Sequence, residues 1–375
     1  MIDRQRIVII GLTITSTWGN GHATTYRGLV RELARRKHQV TFLERDASWY
    51  SKNRDLPRPP YGRTLLYGSV DELRQKHADL VRSADLVIVG SYVPDGIEVG
   101  HWVCSTARGI TAFYDIDTPV TLAALAAGTC TYLSEGLIPR FDLYLSFTGG
   151  PTLDLLERHH GARRARAFYC SFDPGAYHPQ TRAYQWDLGY MGTYCATRQP
   201  GLQKLMLTAA HAAHDLRFVV AGPGYPDDTR WPPTVARIEN VPAAQHRRFY
   251  TSQRFTLNLT RADMIRAGYS PSVRLFEAAA CGVPIISDYW EGIETLFQPG
   301  TDILIAESAR DTLRYLCELP ESERAAIGRR ARKRVLAEHT AEHRAIELET
   351  HLLEVRRPAR IALPVLAQVP VVVER

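Results

Sequence analysis

Short, continuously apolar runs alternate with longer amphipathic segments along most of the chain. In the first half the runs are RIVIIG (6–11), QVTFLE (39–44), DLVIVG (85–90), GITAFYDI (109–116) and FDLYLSF (141–147), with a helical pattern near 22–37 after the first. A strand that is apolar at every position has both faces covered, which implies parallel pairing beneath helices. The alternation restarts after residue 180 with WDLGYMG (186–192), a helical pattern near 199–214, LRFVVAG (216–222), FTLNLT (255–260), a helix over about 271–281 and VPIIS (283–287). The pattern predicts an α/β protein built from two open parallel sheets.

FDPGAYHP (172–179) separates the halves; it is rich in Pro, Gly and aromatics and lacks periodicity, so the linker is placed there. The expected organisation is an N-terminal domain over 1–172, a C-terminal domain over 180–337, and a tail over 357–375. The stretch 321–355 reads as one long basic helix, broken only at Arg357-Pro358, whose end (about 338–356) crosses back over the first domain. A chain of 375 residues is roughly twice the usual domain size, in keeping with this division.

Composition narrows the class. With 45% hydrophobic and 9% aromatic residues the chain has ample material for two cores and is not a disordered protein. The six cysteines are dispersed, without CxxC or metal-ligand spacing, and read as free thiols of a reducing compartment. The first apolar run is too short for a membrane span or a signal peptide, so a cytoplasmic protein is expected. A net charge of +6 favours an anionic partner, but the basic residues are scattered and carry no nucleic-acid-binding pattern.

The stretch SPSVRLFEAAACGVPIISDYWEGIE (270–294) carries the most chemistry. Ser270-Pro271 reads as a helix start, with Gly282 and Pro284 as its stop. Val273, Phe276 and Ala280 form a core stripe, whereas Ser270, Arg274, Glu277 and Cys281 share the other face. A helix N-terminus concentrates unpaired N–H groups, so an anion belongs at Ser270 to Ser272. Glu277 would then stand about 10 Å along the axis, the span between the diphosphate and the ribose hydroxyls of a nucleotide. Its carboxylate can accept two hydroxyl hydrogen bonds. The plain alternative is an Arg274–Glu277 ion pair on an exposed helix face.

The run RADMIRAGYSPSVRLFEAAACGVPIISDYWEGIETLFQPGTDILIA (261–306) resembles the donor-binding half of a GT-B glycosyltransferase, specifically the CgeB-like (spore-protein-type) group. That resemblance implies two Rossmann-like domains around a cleft. It also implies a nucleotide-diphosphate-sugar donor on the second domain, an acceptor on the first, transfer without a metal, and no cofactor beyond the donor. The acceptor is left open among small molecules, glycans and proteins. More distantly similar enzymes of glycosyltransferase family 4 carry two glutamates eight positions apart; the second corresponds to Glu277, and the first position is Tyr269 here, which is kept as a donor-site candidate although it departs from the family's glutamate. The resemblance gives Glu277 the ribose and puts Glu291 and Glu294 near the donor sugar. Arg198, Arg266 and Arg274 are candidates for offsetting the leaving diphosphate.

Gly19-Asn20-Gly21-His22 supplies only part of a dinucleotide fingerprint, which disfavours a dehydrogenase. By resemblance the loop faces the cleft, giving Gly21 and His22 a role there. Gly222-Pro223-Gly224 would let the chain pass close to the nucleotide, or is simply a turn. Asp115-Ile116-Asp117 ends a predicted strand; alternation points both carboxylates the same way, toward a metal, an acceptor, or a helix cap. Asp117 or His22 is the candidate base for the acceptor proton, with Asp115 beside them. A non-catalytic nucleotide- or sugar-binding protein and a nucleotide-sugar epimerase on the same architecture are the rival readings.

Overall fold

The computed structural model describes residues 3–356. Its first sheet contains β1 (Arg6–Gly11), β2 (Gln39–Arg45), β3 (Arg63–Tyr67), β4 (Leu86–Gly90), β5 (Ile110–Asp115), β6 (Leu143–Ser146) and β7 (Ala165–Ala167), in the order β3-β2-β1-β4-β5-β6-β7. The second contains β8 (Trp186–Met191), β9 (Phe218–Ala221), β10 (Val235–Ile238), β11 (Gln253–Asn258), β12 (Ile285–Ser287) and β13 (Leu304–Ile305), in the order β10-β9-β8-β11-β12-β13. Every pairing between these strands is parallel. Both sheets are doubly wound and Rossmann-like, as the apolar pattern predicts.

Alternation within the strands explains why they are apolar throughout. On β1, Ile7 and Ile9 pack under one helical layer with Leu29, Val30 and Leu33, while Val8 and Ile10 pack under the other with Leu73 and Val81. In the second sheet Val220 and Leu257 meet Leu205 and Met206, whereas Val219 and Ile285 face the Val273–Ala280 helix. At roughly 25 cal/mol per Å² of buried apolar surface, two-sided burial is the main force holding each layer.

The reading of 321–355 as one helix needs correction. The helix Glu321–Glu338 ends at His339, and a second begins at Ala341 and runs to Arg356. Between them Thr340 bridges Phe172, whose carbonyl accepts from Ala341 N at 3.0 Å. That contact with the segment leaving the first domain replaces the helical ladder and turns the chain. The Ala341–Arg356 helix lies along the first helix, His22–Arg35. A Cβ on Gly28 would come within 2.9 Å of Ala341 Cβ, and Arg36 donates to both oxygens of Glu349 at 2.6 and 2.8 Å. The expected helix over 199–214 is also divided, into Gln199–Leu202, a π turn over Gln203–Leu207 and Thr208–Ala212. The apolar tail over 357–375 lies outside the described residues.

Candidate active site

In a doubly wound sheet ligands bind beyond the carboxyl ends of the strands where the winding reverses. Here the reversals fall between β1 and β4 and between β8 and β11, and the two edges face one another. A cleft of about 400 Å³ lies between them, bounded by Leu12, Tyr92 and Asp117 on one side and by Gly192, Arg261 and Arg274 on the other.

The second-domain wall is built on the Val273–Ala280 helix. Its N-cap is Ser272, in extended conformation, and no side chain caps the first turn. The Ser272 hydroxyl donates instead to Asn258 Oδ1 at 2.8 Å. Ser270, expected to cap, is fully buried and shares a 2.8 Å hydrogen bond with Thr148 of the first domain, so it does not face the cleft. The helix therefore starts two residues later than its sequence suggests. Glu277 stands five residues beyond the N-cap, about 7.5 Å along the axis at 1.5 Å per residue.

Arg274 and Glu277 do not pair. Arg274 donates through Nε to the carbonyl of Met191 at 2.6 Å and through NH1 to Asn258 Oδ1 at 2.8 Å, with its guanidinium 4.8 Å from the Tyr190 ring centre. It spans the ends of β8 and β11 beside the helix start. Glu277, only 2% exposed, lies at the cleft floor, where it accepts from Tyr250 OH at 3.2 Å and from Thr24 Oγ1 of the first domain at 3.1 Å. His246 Nδ1 is 3.7 Å from the same carboxylate. The expected polar face is thus buried as completely as the apolar one.

On the first-domain wall the two aspartates part company. Asp117 follows β5 with φ −145° and ψ 50°, so strand alternation does not extend to it. Its carboxylate lines the cleft and accepts from Tyr92 OH and from Arg261 NH1, each at 3.0 Å. It makes no cap bond to the helix that follows. Asp115 is fully buried behind it, accepting from Tyr144 OH at 2.6 Å and Thr121 Oγ1 at 2.8 Å. Burial pushes the Asp115 carboxyl up to about 6, against those hydrogen bonds. With its oxygens turned into the fold, Asp115 touches neither the cleft nor a shared metal position, and its expected catalytic role is corrected to a structural one.

His22 opens the first helix and lines the cleft, its ring 5.5 Å from Phe147. Desolvation lowers its pKa to about 4, with Asp117 opposing and Arg261 adding to the effect, and its Nδ1 has no hydrogen-bond partner. A neutral imidazole can accept a proton. Gly21 brings this loop against the opposite wall: a Cβ there would lie 3.1 Å from Val273 Cγ1.

Arg198 lines the cleft and donates through NH2 to the Thr193 carbonyl at 2.9 Å. Gly222 lines it too, at φ +135°, with its Cα so close to Gly192 that a Cβ would sit 2.2 Å from the carbonyl oxygen. Three other expectations fail. Arg266 is exposed, paired with Asp263, and borders a separate groove. Tyr269, at φ +48°, has its ring edges against Gly150 and Gly292, and its backbone bonds to Gly149 and Glu291; it does not reach the cleft. Glu294, like Glu291, is exposed to solvent and does not line the cleft. The Glu291-to-Thr295 turn buries Gly292 and Ile293, which points both carboxylates outward.

Arg261, Tyr92, Tyr250 and Thr24 were not anticipated. Arg261 was legible in principle, because it stands just past β11, where cleft residues of such sheets lie. The other three carry no motif.

Solved structures share the whole architecture. Sucrose-phosphate synthase from Thermosynechococcus elongatus superposes with a TM-score of 0.74 at 13% identity, over 94% of this chain and 99% of that one. The fold is GT-B. HepE from Anabaena, in complex with UDP and glucose, gives 0.70 at 12% identity over 93% and 100% of the two chains. An alpha-glucosyltransferase in complex with UDP-glucose and DNA gives 0.70 at 13% over the same shares. A family model described as "Glycosyl transferase-like" matches residues 198–350, which include Arg198, Arg274 and Glu277. No curated protein matches in sequence. No described helix of this GT-B chain is long and apolar enough to cross a membrane.

Proposed function

We propose that this protein is a glycosyltransferase that binds a nucleotide-diphosphate sugar on its second domain and transfers the sugar to a hydroxyl acceptor on its first. One observation carries the reading: a buried carboxylate, Glu277, lies on the same helix as an uncapped N-terminus that Arg274 adjoins, inside the cleft between two switch points. The amide end and the two cations Arg198 and Arg274 suit a diphosphate. The carboxylate suits a ribose diol one and a half turns away.

In the transfer, the bond from the sugar's anomeric carbon to the diphosphate oxygen breaks and a bond to the acceptor oxygen forms. The leaving diphosphate keeps the electron pair, and Arg198, Arg274 and the helix end offset its charge without a metal. His22 takes the acceptor proton, and Asp117 orients the acceptor. Contact between the domains excludes water that would otherwise consume the donor. The family-model match supports the activity, and the run 261–306 supports a place near the CgeB-like group. A cytoplasmic setting with no cofactor beyond the donor completes the reading.

Tyr269 favours a second reading, a non-catalytic nucleotide binder, because it stands where a sugar-contacting glutamate would be expected and is packed between two glycines. Nucleoside-diphosphate release from a panel of uridine, guanosine, thymidine and adenosine diphosphate sugars, with and without acceptors, separates the two. Acceptor-dependent release supports transfer. Tight nucleotide binding with no release from any donor supports the binder, and interconversion of donor sugars without acceptor would make it an epimerase.

A further inference from the structure

Glu277 needs open acceptor positions to hold a diol, and hydroxyls of the protein compete for them. A carboxylate offers about four such positions. Tyr250 OH takes one on Oε2 at 3.2 Å, and Thr24 Oγ1 takes one on Oε1 at 3.1 Å. About two remain, the number that a vicinal diol fills. A third hydroxyl, that of Tyr177, stands close by: burial first, and then the charge of Glu277, pushes its pKa well above the usual value. Tyr177 therefore keeps its proton, and a buried O–H needs an acceptor.

The acceptor is His246, on the helix Ala243–Thr251. Tyr177 OH lies 3.0 Å from its Nδ1. The other ring nitrogen, Nε2, lies 3.1 Å from the carbonyl oxygen of the cleft-lining Val241. A carbonyl can only accept, so Nε2 carries the ring proton and Nδ1 of the neutral imidazole receives the Tyr177 O–H. With both nitrogens committed and the residue buried, the ring is held in one orientation. Its Nδ1 stands 3.7 Å from Glu277 Oε2, too far for a hydrogen bond. Tyr177 is fixed from its own side as well. It lies in the segment between the domains, where its N–H donates to the Asp173 carbonyl at 2.8 Å, and Asp173 pairs with Arg31 of the first domain. Were the imidazole removed, the hydroxyl would stay in place with Glu277 as its nearby acceptor.

We propose that His246 is a positioning residue for ribose recognition: by holding the Tyr177 hydroxyl on Nδ1, it keeps two acceptor positions of Glu277 open for the two ribose hydroxyls. The inference rests on the reading that gives Glu277 the donor ribose, but its test does not require turnover. A histidine that merely filled the core would add stability and leave the preference for ribose untouched.

Isothermal titration of the intact protein would compare the ribonucleoside diphosphate it binds best with the 2′-deoxy form of that nucleotide. The parent should prefer the ribose form by about tenfold or more, the scale of one hydrogen bond to a charged group. His246→Gln can still donate to the Val241 carbonyl but places no acceptor at Nδ1, and it should narrow the preference to about threefold or less. His246→Asn puts an amide oxygen where Nδ1 stands and should keep most of the preference. In His246→Gln/Tyr177→Phe the competing hydroxyl is gone, so the preference should return. Tyr177→Phe alone, the mildest change, should keep it. The proposal is overturned if His246→Gln discriminates as the parent does, if adding Tyr177→Phe restores nothing, or if Asn and Gln behave alike. Collapse of the preference in Tyr177→Phe overturns it even where the histidine variants do not fold. A parent that binds no nucleoside diphosphate, or binds both forms equally, sinks the ribose assignment of Glu277 and this inference together; a ribose preference that His246 does not control sinks this inference alone.

Discussion

Thr24 Oγ1 in one domain lies 3.1 Å from Glu277 Oε1 in the other, so the carboxylate proposed to hold the donor ribose is touched by both domains. Thr24 also lies 2.7 Å from the Gly21 carbonyl, the shorter of its two contacts, so the bond across the cleft is the weaker one. Glu277→Ala should weaken nucleoside-diphosphate binding by about 1.5 to 3 kcal/mol, the scale of hydrogen bonds to a charged group, or roughly 10- to 150-fold. Thr24→Val should cost only a few-fold. Isothermal titration reads both, and equal affinity in Glu277→Ala and the parent would remove the ribose assignment.

His22 and Asp117 face the same space but are prepared for different work. Asp117 already accepts hydrogen bonds from Arg261 and Tyr92, which fix its carboxylate in place. His22 is held neutral by burial. His22→Ala should lower turnover by about 10²- to 10⁴-fold, the usual contribution of a general base, with nucleotide affinity little changed. Asp117→Asn should reduce turnover more than donor affinity, with its main effect on acceptor KM. A His22→Ala variant with the parent's turnover would move the proposed base elsewhere.

How far these sites could be read from the chain differs by residue. Two-sided burial writes itself into sequence as unbroken apolar runs, so β1, β2, β4 and β8 fall where the pattern places them. The edge strands β3, β7, β10 and β13 were not anticipated: short or half-exposed, they lack that pattern. Glu277 was singled out by the family resemblance, because its spacing alone fits an exposed ion pair with Arg274 equally well; its place at the cleft floor comes from contacts with Tyr250 and Thr24 that no local pattern encodes. Glu294 and Arg266 looked similar in one dimension, yet burial of Ile293 and the ion pair to Asp263 turn them outward. Arg261 meets Asp117, 144 residues away, through contact between domains, and no local pattern encodes such a partner.

Acid should destabilise the fold through two buried histidines. His22 and His339 are lowered by desolvation to about 4 and about 3, from 6.5. Between pH 6.5 and 4 the unfolded chain binds protons there that the folded chain does not, so stability falls as pH falls. Asp115 acts with the opposite sign: raised to about 6, it keeps its proton in the folded state and favours folding on acidification from 6. Two histidines outweigh one acid, so the melting temperature should drop between pH 6.5 and 4. Asp115→Asn should make that drop steeper, because the opposing group is gone. A melting temperature that rises across this range would contradict the burial of both imidazoles.

Gly222 separates backbone strain from steric collision. At φ +135° it occupies a region that side chains rarely adopt, and an added Cβ would lie 2.2 Å from the Gly192 carbonyl oxygen. Its amide donates to the Ile238 carbonyl at 2.9 Å and its own carbonyl accepts from Arg237 at 2.9 Å, so the loop cannot swing away cheaply. Gly300, at φ +76°, has nothing within 4 Å of a Cβ. Gly300→Ala should therefore cost only the strain of a left-handed alanine, about 1 kcal/mol, with donor binding intact. Gly222→Ala must in addition push apart the turns after β8 and β9, which carry Gly192 and border the phosphate side of the cleft. Its melting temperature should fall further than that of Gly300→Ala, and nucleoside-diphosphate affinity should fall tenfold or more. Should the two alanines melt together and bind nucleotide alike, the close approach of these turns is not what shapes the donor site.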